Sequence, residues 1–538
     1  MRRRCTAFFI SIFTALLLLA FSAPAGAAPS FGSLGSLGSS ASGSSDDSES
    51  YVAIDPTSGT LIASSGFDVT RDGFSFENWG GPSPEHRRGL TPTVMQSLYG
   101  DRICARIDAG GCVLTATGEA LQADLDDAWS GGHCFGFAAL AGLFATDQLD
   151  KATTLPSGGE VFDERPSDRL DGLISRYAST QISPPTSDAA TAAPVADILG
   201  RLEAAWARGD NYVLTLFGDI GGHAITPIAL RDLGGGRTGI VVYDNNYPGV
   251  EKMVVADAGA DRWYYTTALN PADRSYLFVG SPDNPMRLVE LPQTNAVHEC
   301  PICHDAGDDS VLVMIKDNAE NRDGTILGWD LDITAPDGSE IEGVDQLQSV
   351  NNQQTHLFRV PAGVAFEMTV GDVPVGRSAD LDISLYGDGW INEVDGLVLP
   401  PGATATVNVD QSQRKLDLQG NFAITPTLML ATEQADWSVA ARGTGLRILP
   451  GTTLSVERDT DGDFVYALDG VGLPAAMTFD VRRRDGAGDQ NVTTGAPVSI
   501  PVHSSASVAA HEWNGTSPLD VRVVGNGAER TYPMVPRP

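Results

Sequence analysis

Basic residues are scarce in this chain: 35 Lys and Arg stand against 69 Asp and Glu in 538 residues. The formal charge is −34. A surface of that sign repels phosphate backbones and anionic membranes, which argues against nucleic acid as a partner. The acids are dispersed, so their plain role is solubility. A second long apolar run is also missing. After the N-terminal run from Phe8 to Phe21, nothing reaches the ~20 apolar residues that a bilayer span needs. Cysteine is rare, at six. No internal repeat is visible, and beyond about Pro285 no helical stripe of useful length occurs.

What is present begins with a leader. Arg2, Arg3 and Arg4 precede the apolar run, and Ala25-Gly26-Ala27 follows it. That order is a secretory signal peptide, residues 1–27, with an uncleaved N-terminal anchor as the alternative. Cleavage removes three arginines and takes the charge from −34 to −37. The expectation is a secreted chain with no membrane span after cleavage. Residues 28–50 are mostly Ser, Gly and Ala and read as a linker.

The mature chain keeps five cysteines, and an oxidising compartment tends to pair them. Cys104 and Cys112 bracket a short loop, and Cys300 and Cys303 form a CxxC. Both pairs are disulfide candidates, which leaves Cys134 as the odd thiol. The segment His298-Glu-Cys300-Pro-Ile-Cys303-His304 also fits zinc, haem attachment or a redox pair. The compartment favours the plain disulfide, so no metal and no cofactor is expected.

Strand and turn signals open the folded region: Tyr51 to Ile54, Gly59 to Ala63, then Gly73 to Trp79. Gly131-Gly132-His133-Cys134 leads into a segment apolar on nearly every side, the mark of a buried helix. Pro194 and Gly209 bracket a second helix, with Val195, Ile198, Leu202, Ala205 and Trp206 on one face. Strands are expected at Tyr212–Phe217, His223–Leu230, Gly239–Asp244 and Trp263–Tyr265. This is an α+β order over residues 51–290. Short β runs such as Ser310–Ile315, Thr404–Val409 and Met477–Val481 follow. They predict all-β, sandwich-like modules at 305–420 and 421–538. Asp323-Gly324, Asp388-Gly389 and Asp459-Thr-Asp461-Gly-Asp463 read as turns; the last lacks the full spacing of a calcium loop.

Thiol catalysis needs a sulfur nucleophile, a base and a group that orients the base. Cys134 at a helix start meets backbone dipoles that favour negative charge. His223 follows two glycines and starts a strand, and Asp244 ends the strand after a Gly-rich hairpin. Antiparallel neighbours would bring those two strand ends together, so a carboxylate could accept the second imidazole N–H. Asn245 and Asn246 are the substitutes for that orienting role. His133 reads as structural.

The segments Gly131-Gly-His-Cys-Phe-Gly-Phe-Ala138, Gly222-His-Ala224 and Val241-Val-Tyr-Asp-Asn-Asn246 resemble, in order, the three motif regions of the papain-like cysteine peptidase superfamily. The resemblance covers roughly residues 51–285. The first segment is also similar to bacteriocin-processing and transglutaminase-like relatives. It implies a papain-like fold, with Cys134 as nucleophile, His223 as base and Asp244 as orienting residue. It further implies a peptide or protein substrate and acyl transfer. One position departs from the pattern. The glutamine expected six residues before the nucleophile is Ala128 here. Gln122 and Asn78 are the replacement candidates for an oxyanion donor, a group typically worth ~10²–10³ in rate. The β modules would seat the enzyme on a cell-surface or matrix target. The alternatives are a non-catalytic binding protein on the same scaffold and a transglutaminase-type crosslinker.

Overall fold

A computed structural model describes residues 51–81, 89–218, 221–274, 276–303, 310–319, 329–347 and 355–537. The expected leader, the linker, His304 and Asp323-Gly324 lie outside these residues. The first half is built from helices α1 (Pro92–Tyr99), α2 (Ala116–Ala128), α3 (Cys134–Ala145), α4 (Lys151–Thr154), α5 (Asp168–Ser179) and α6 (Val195–Trp206). Its strands are β1 (Thr60–Ser64), β2 (Cys104–Asp108), β3 (Gly111–Leu114), β4 (Ala190–Ala192), β5 (Tyr212–Gly218) and β6 (Gly221–Gly234). They continue with β7 (Arg237–Tyr243), β8 (Glu251–Asp257), β9 (Arg262–Thr266), β10 (Leu277–Gly280) and β11 (Arg287–Glu290).

Local chemistry sets the helix starts. Thr91, Thr115 and Ser167 each accept a backbone N–H of the first turn of α1, α2 and α5. Helix α6 follows Pro194 and buries Val195, Ile198, Leu202, Ala205 and Trp206, the five positions of its apolar stripe. Helix α3 is buried from Cys134 to Phe144, so it runs through the core of this half. One antiparallel sheet wraps it, in the order β10-β9-β8-β7-β6-β5-β11-β4, with β1 also paired to β6. Strands β2 and β3 form a separate hairpin.

Two early expectations fail. Tyr51 to Ile54 and Gly73 to Trp79 are not strands. The second segment is a loop whose Phe74, Phe76 and Trp79 rings pack on Phe137 of α3. Its alternating aromatics fill a core without joining a ladder.

Among the described residues the C-terminal region is all-β and antiparallel, in one sheet of 11 strands and one of 9. A single apolar core, from Val311 to Met534, includes residues of both. The predicted boundary at 420/421 does not divide this core. Strand Trp390–Leu399 pairs with Thr427–Glu433 across it, and Lys415–Gly420 pairs with Thr452–Arg458. Asp388-Gly389 and Asp459–Asp463 are turns, the latter closed by Asp459 Oδ1 on the Asp461 and Asp463 amides at 3.0 and 2.9 Å.

Strand Ser310–Asp317 shows how the halves join. Val311, Val313 and Ile315 enter the sandwich core, while Leu312 and Met314 join a cluster with Met95, Leu98, Leu121 and Leu125 of α1 and α2. A strand sends alternate side chains to opposite faces, so a strand buried on both reads as a continuous apolar run. Cys104–Cys112 and Cys300–Cys303 are disulfides, and Cys134 is a free thiol. Among the described residues no helix is long and apolar enough to cross a membrane.

Candidate active site

Cys134 is the first residue of α3, and the approach to it is shaped by Gly132. Gly132 has φ +156° and ψ 154°, a region open essentially to glycine. A Cβ there would stand 3.0 Å from Asn78 Nδ2. The missing side chain therefore lets Asn78 lie against the helix start. Asn78 Oδ1 accepts the His133 amide at 2.7 Å. The His133 ring stacks on Trp79 with centroids 4.7 Å apart, and its Nδ1 lies 2.9 Å from Trp79 O.

His223 comes from β6 and Asp244 from the residue after β7. The antiparallel register sets Tyr243 opposite Thr226, so the end of one strand meets the start of the other. His223 Nε2 is 2.8 Å from Asp244 Oδ1. The Asn246 amide donates to the same oxygen at 2.9 Å, and the Tyr265 hydroxyl donates to Asp244 Oδ2. Cys134 hydrogen bonds His223. With Nε2 held by Asp244, Nδ1 is the ring nitrogen left for the sulfur.

Burial works against the His223 imidazolium, but the Asp244 carboxylate outweighs it and, with Cys134 acting in the same direction, lifts the imidazole to about 10. Burial likewise disfavours the Asp244 anion, yet His223, Tyr265 and the Asn246 amide hold it below the usual carboxylate range. The pair is thus a buried imidazolium and carboxylate at neutral pH.

The neighbouring amides divide the remaining work. Asn245 Nδ2 bridges Cys134 O at 3.1 Å and Ala224 O at 2.9 Å, tying the helix start to β6. Asn246 donates from Nδ2 to Tyr276 at 2.7 Å and accepts from Asn78 Nδ2 at 3.2 Å. So Asp244, not Asn245 or Asn246, contacts the imidazole. Of the two oxyanion candidates, Asn78 lies beside Cys134's helix start. Gln122 does not join it: its amide donates to Leu90 O at 2.6 Å, on a helix that packs against the sandwich.

Sequence reasoning missed Tyr265, Tyr276 and Phe278. Tyr276 and Phe278 lie over the His223 ring, with centroids 6.1 and 6.2 Å away. Alternation along β9 could have singled out Tyr265, since Trp263 and Tyr265 are its two buried aromatics. The group is closed: Cys134 is 4% exposed, His223 3% and Asp244 0%. Among the described residues no three His, Cys, Asp or Glu side chains are grouped to hold a metal ion.

The arrangement can pass a proton between sulfur and imidazole while the carboxylate holds the ring. Compared with family models, curated proteins and solved structures, the chain has no match.

Proposed function

We propose that this chain is an exported, thiol-dependent amide hydrolase of the papain-like kind, working through Cys134, His223 and Asp244. One observation carries the reading: a free thiol at a helix start, an imidazole and a buried carboxylate stand in hydrogen-bonded sequence. Two disulfides in the same chain support an oxidising destination.

In the proposed reaction the Cys134 sulfur attacks the carbonyl carbon of a peptide or isopeptide amide. The C–N bond breaks, and His223 gives its proton to the leaving amine. Water then attacks the thioester, His223 takes a proton from it, and the acid leaves as the thiol is restored. The Cys134 backbone N–H and Asn78 Nδ2 are the donors proposed for the oxyanion. The β sandwich would hold the enzyme on a surface or matrix target.

The closed site favours a second reading, a binding protein that retains the triad without turnover. Iodoacetamide labelling separates them. The first reading expects rapid alkylation of Cys134 near neutral pH, about tenfold or more slower in His223→Ala, with amide cleavage lost in Cys134→Ser. Equal labelling of both proteins, with no cleavage, supports the binding protein. Incorporation of a primary amine in place of water would identify a crosslinker.

A further inference from the structure

A second site lies between α2 and the 11-stranded sheet. It is a cavity of about 540 Å³ whose lining includes Asp124, Asp382, Glu393 and Asp395. Three guanidiniums line its edge, and Arg537 pairs with Asp480 at 3.6 Å. Arg442 pairs with Asp395 at 2.9 Å, and Arg482 pairs with Glu119 and with Asp489. Among the described residues no cation is paired with Asp124, Asp382 or Glu393. Asp124 accepts the Tyr386 hydroxyl, and Asp382 accepts the Gly396 amide at 2.7 Å.

Glu393 is different. It is 5% exposed, lines the cavity, and its buried Oε1 has no hydrogen-bond partner. A carboxylate oxygen removed from water and left unpaired is costly, and native structures rarely keep one without a ligand or a proton. Burial, followed by repulsion from Asp124 and Asp395 and opposed by Arg442, holds Glu393 well above the carboxylate range. Burial lifts Asp124 to about 7, aided by Asp395 and Asp382 and opposed by Tyr386.

The carboxylates are not grouped closely enough to ligate a metal ion. They surround a space instead, and Ala120, Ala123, Met429 and Val481 supply apolar wall between them. Carboxyl groups spread around an apolar wall match an alkyl chain bearing ammonium groups, one of which would take the place of the proton that Glu393 holds. We infer that this cavity binds a small aliphatic diamine, with Glu393 and Asp124 receiving its ammonium groups.

The test is calorimetric titration of the purified chain with 1,5-diaminopentane at pH 7.5 and low salt. Glu393→Gln removes the ionisable carboxyl and keeps the shape, and Ala123→Leu fills the cavity from an exposed helix position. Far-ultraviolet dichroism confirms that each variant is folded. Saturable binding that weakens about tenfold or more in both folded variants supports the inference. It is overturned by absence of binding, by unchanged binding in either variant, by equal binding of neutral 1,5-pentanediol, or by a calcium or magnesium ion displacing the diamine.

Discussion

His223 and Asp244 show how two single residues can outweigh the cost of their own burial. Neither is more than 3% exposed, yet both are held charged because each supplies the other's counter-ion. The imidazole is raised from 6.5 to about 10, so its contribution to stability is complete below about pH 6.5 and is lost as pH rises toward 10. Asp244 is depressed, so its contribution holds above the ordinary carboxylate value of 3.8 and is lost as pH falls through the depressed one. The melting temperature of wild type should therefore exceed that of His223→Gln by a margin that shrinks steadily from pH 6.5 to 10. A constant margin over that range would contradict the charged pair. At this scale the structure sets His223 against Asp244 and Asn78 against the residue before Cys134, whereas the sequence offered Asn78 as a donor candidate without a place in space. Gln122, the other donor candidate, is turned toward Leu90 by α2.

Helix α3 is held where it is by close contact with α5. A Cβ on Gly136 would stand 2.0 Å from Ile174 O and 2.9 Å from the Ala178 amide. Those are backbone atoms of α5 and cannot rotate away. Gly136→Ala must separate the two helices and should cost about 1–3 kcal/mol, as overpacking of a tight core does. Urea denaturation monitored by fluorescence reads this as a lower midpoint. Because Cys134 lies two residues earlier, the same change should slow its alkylation in the folded state. Elements whose signal is local were legible. The stripe and terminators of α6, and the runs that became β5, β7 and β9, depend on neighbours in sequence. The loop from Gly73 to Trp79 was not, because its aromatics alternate for the sake of Phe137.

Across the whole molecule, the C-terminal strands cannot be divided at residue 420 without opening both sheets. A chain ending there loses the partners of Trp390–Leu399 and Lys415–Gly420 and bares half of the shared core. Exposed edges and apolar faces of that kind aggregate. Residues 421–538, expressed alone, should fail to show a cooperative thermal transition. A cooperative melt from that fragment would refute the single core. The halves of the chain are joined as well: Arg484, 6% exposed, donates to Leu114 O at 2.9 Å and pairs with Glu119 and Asp489.

The sequence alone determined that a lone thiol opens a buried helix, that the other described cysteines can pair, and that strands dominate beyond about residue 285. Each of these follows from composition, spacing or a short period. Only the tertiary structure decided that His223, Asp244, Tyr265 and Asn78 converge on that helix start, that one core spans the C-terminal strands, and that Oε1 of Glu393 is buried without a partner. Such contacts join residues tens to hundreds of positions apart. They are set by which strands pair and how the helices pack across the chain, which a short window of sequence does not contain.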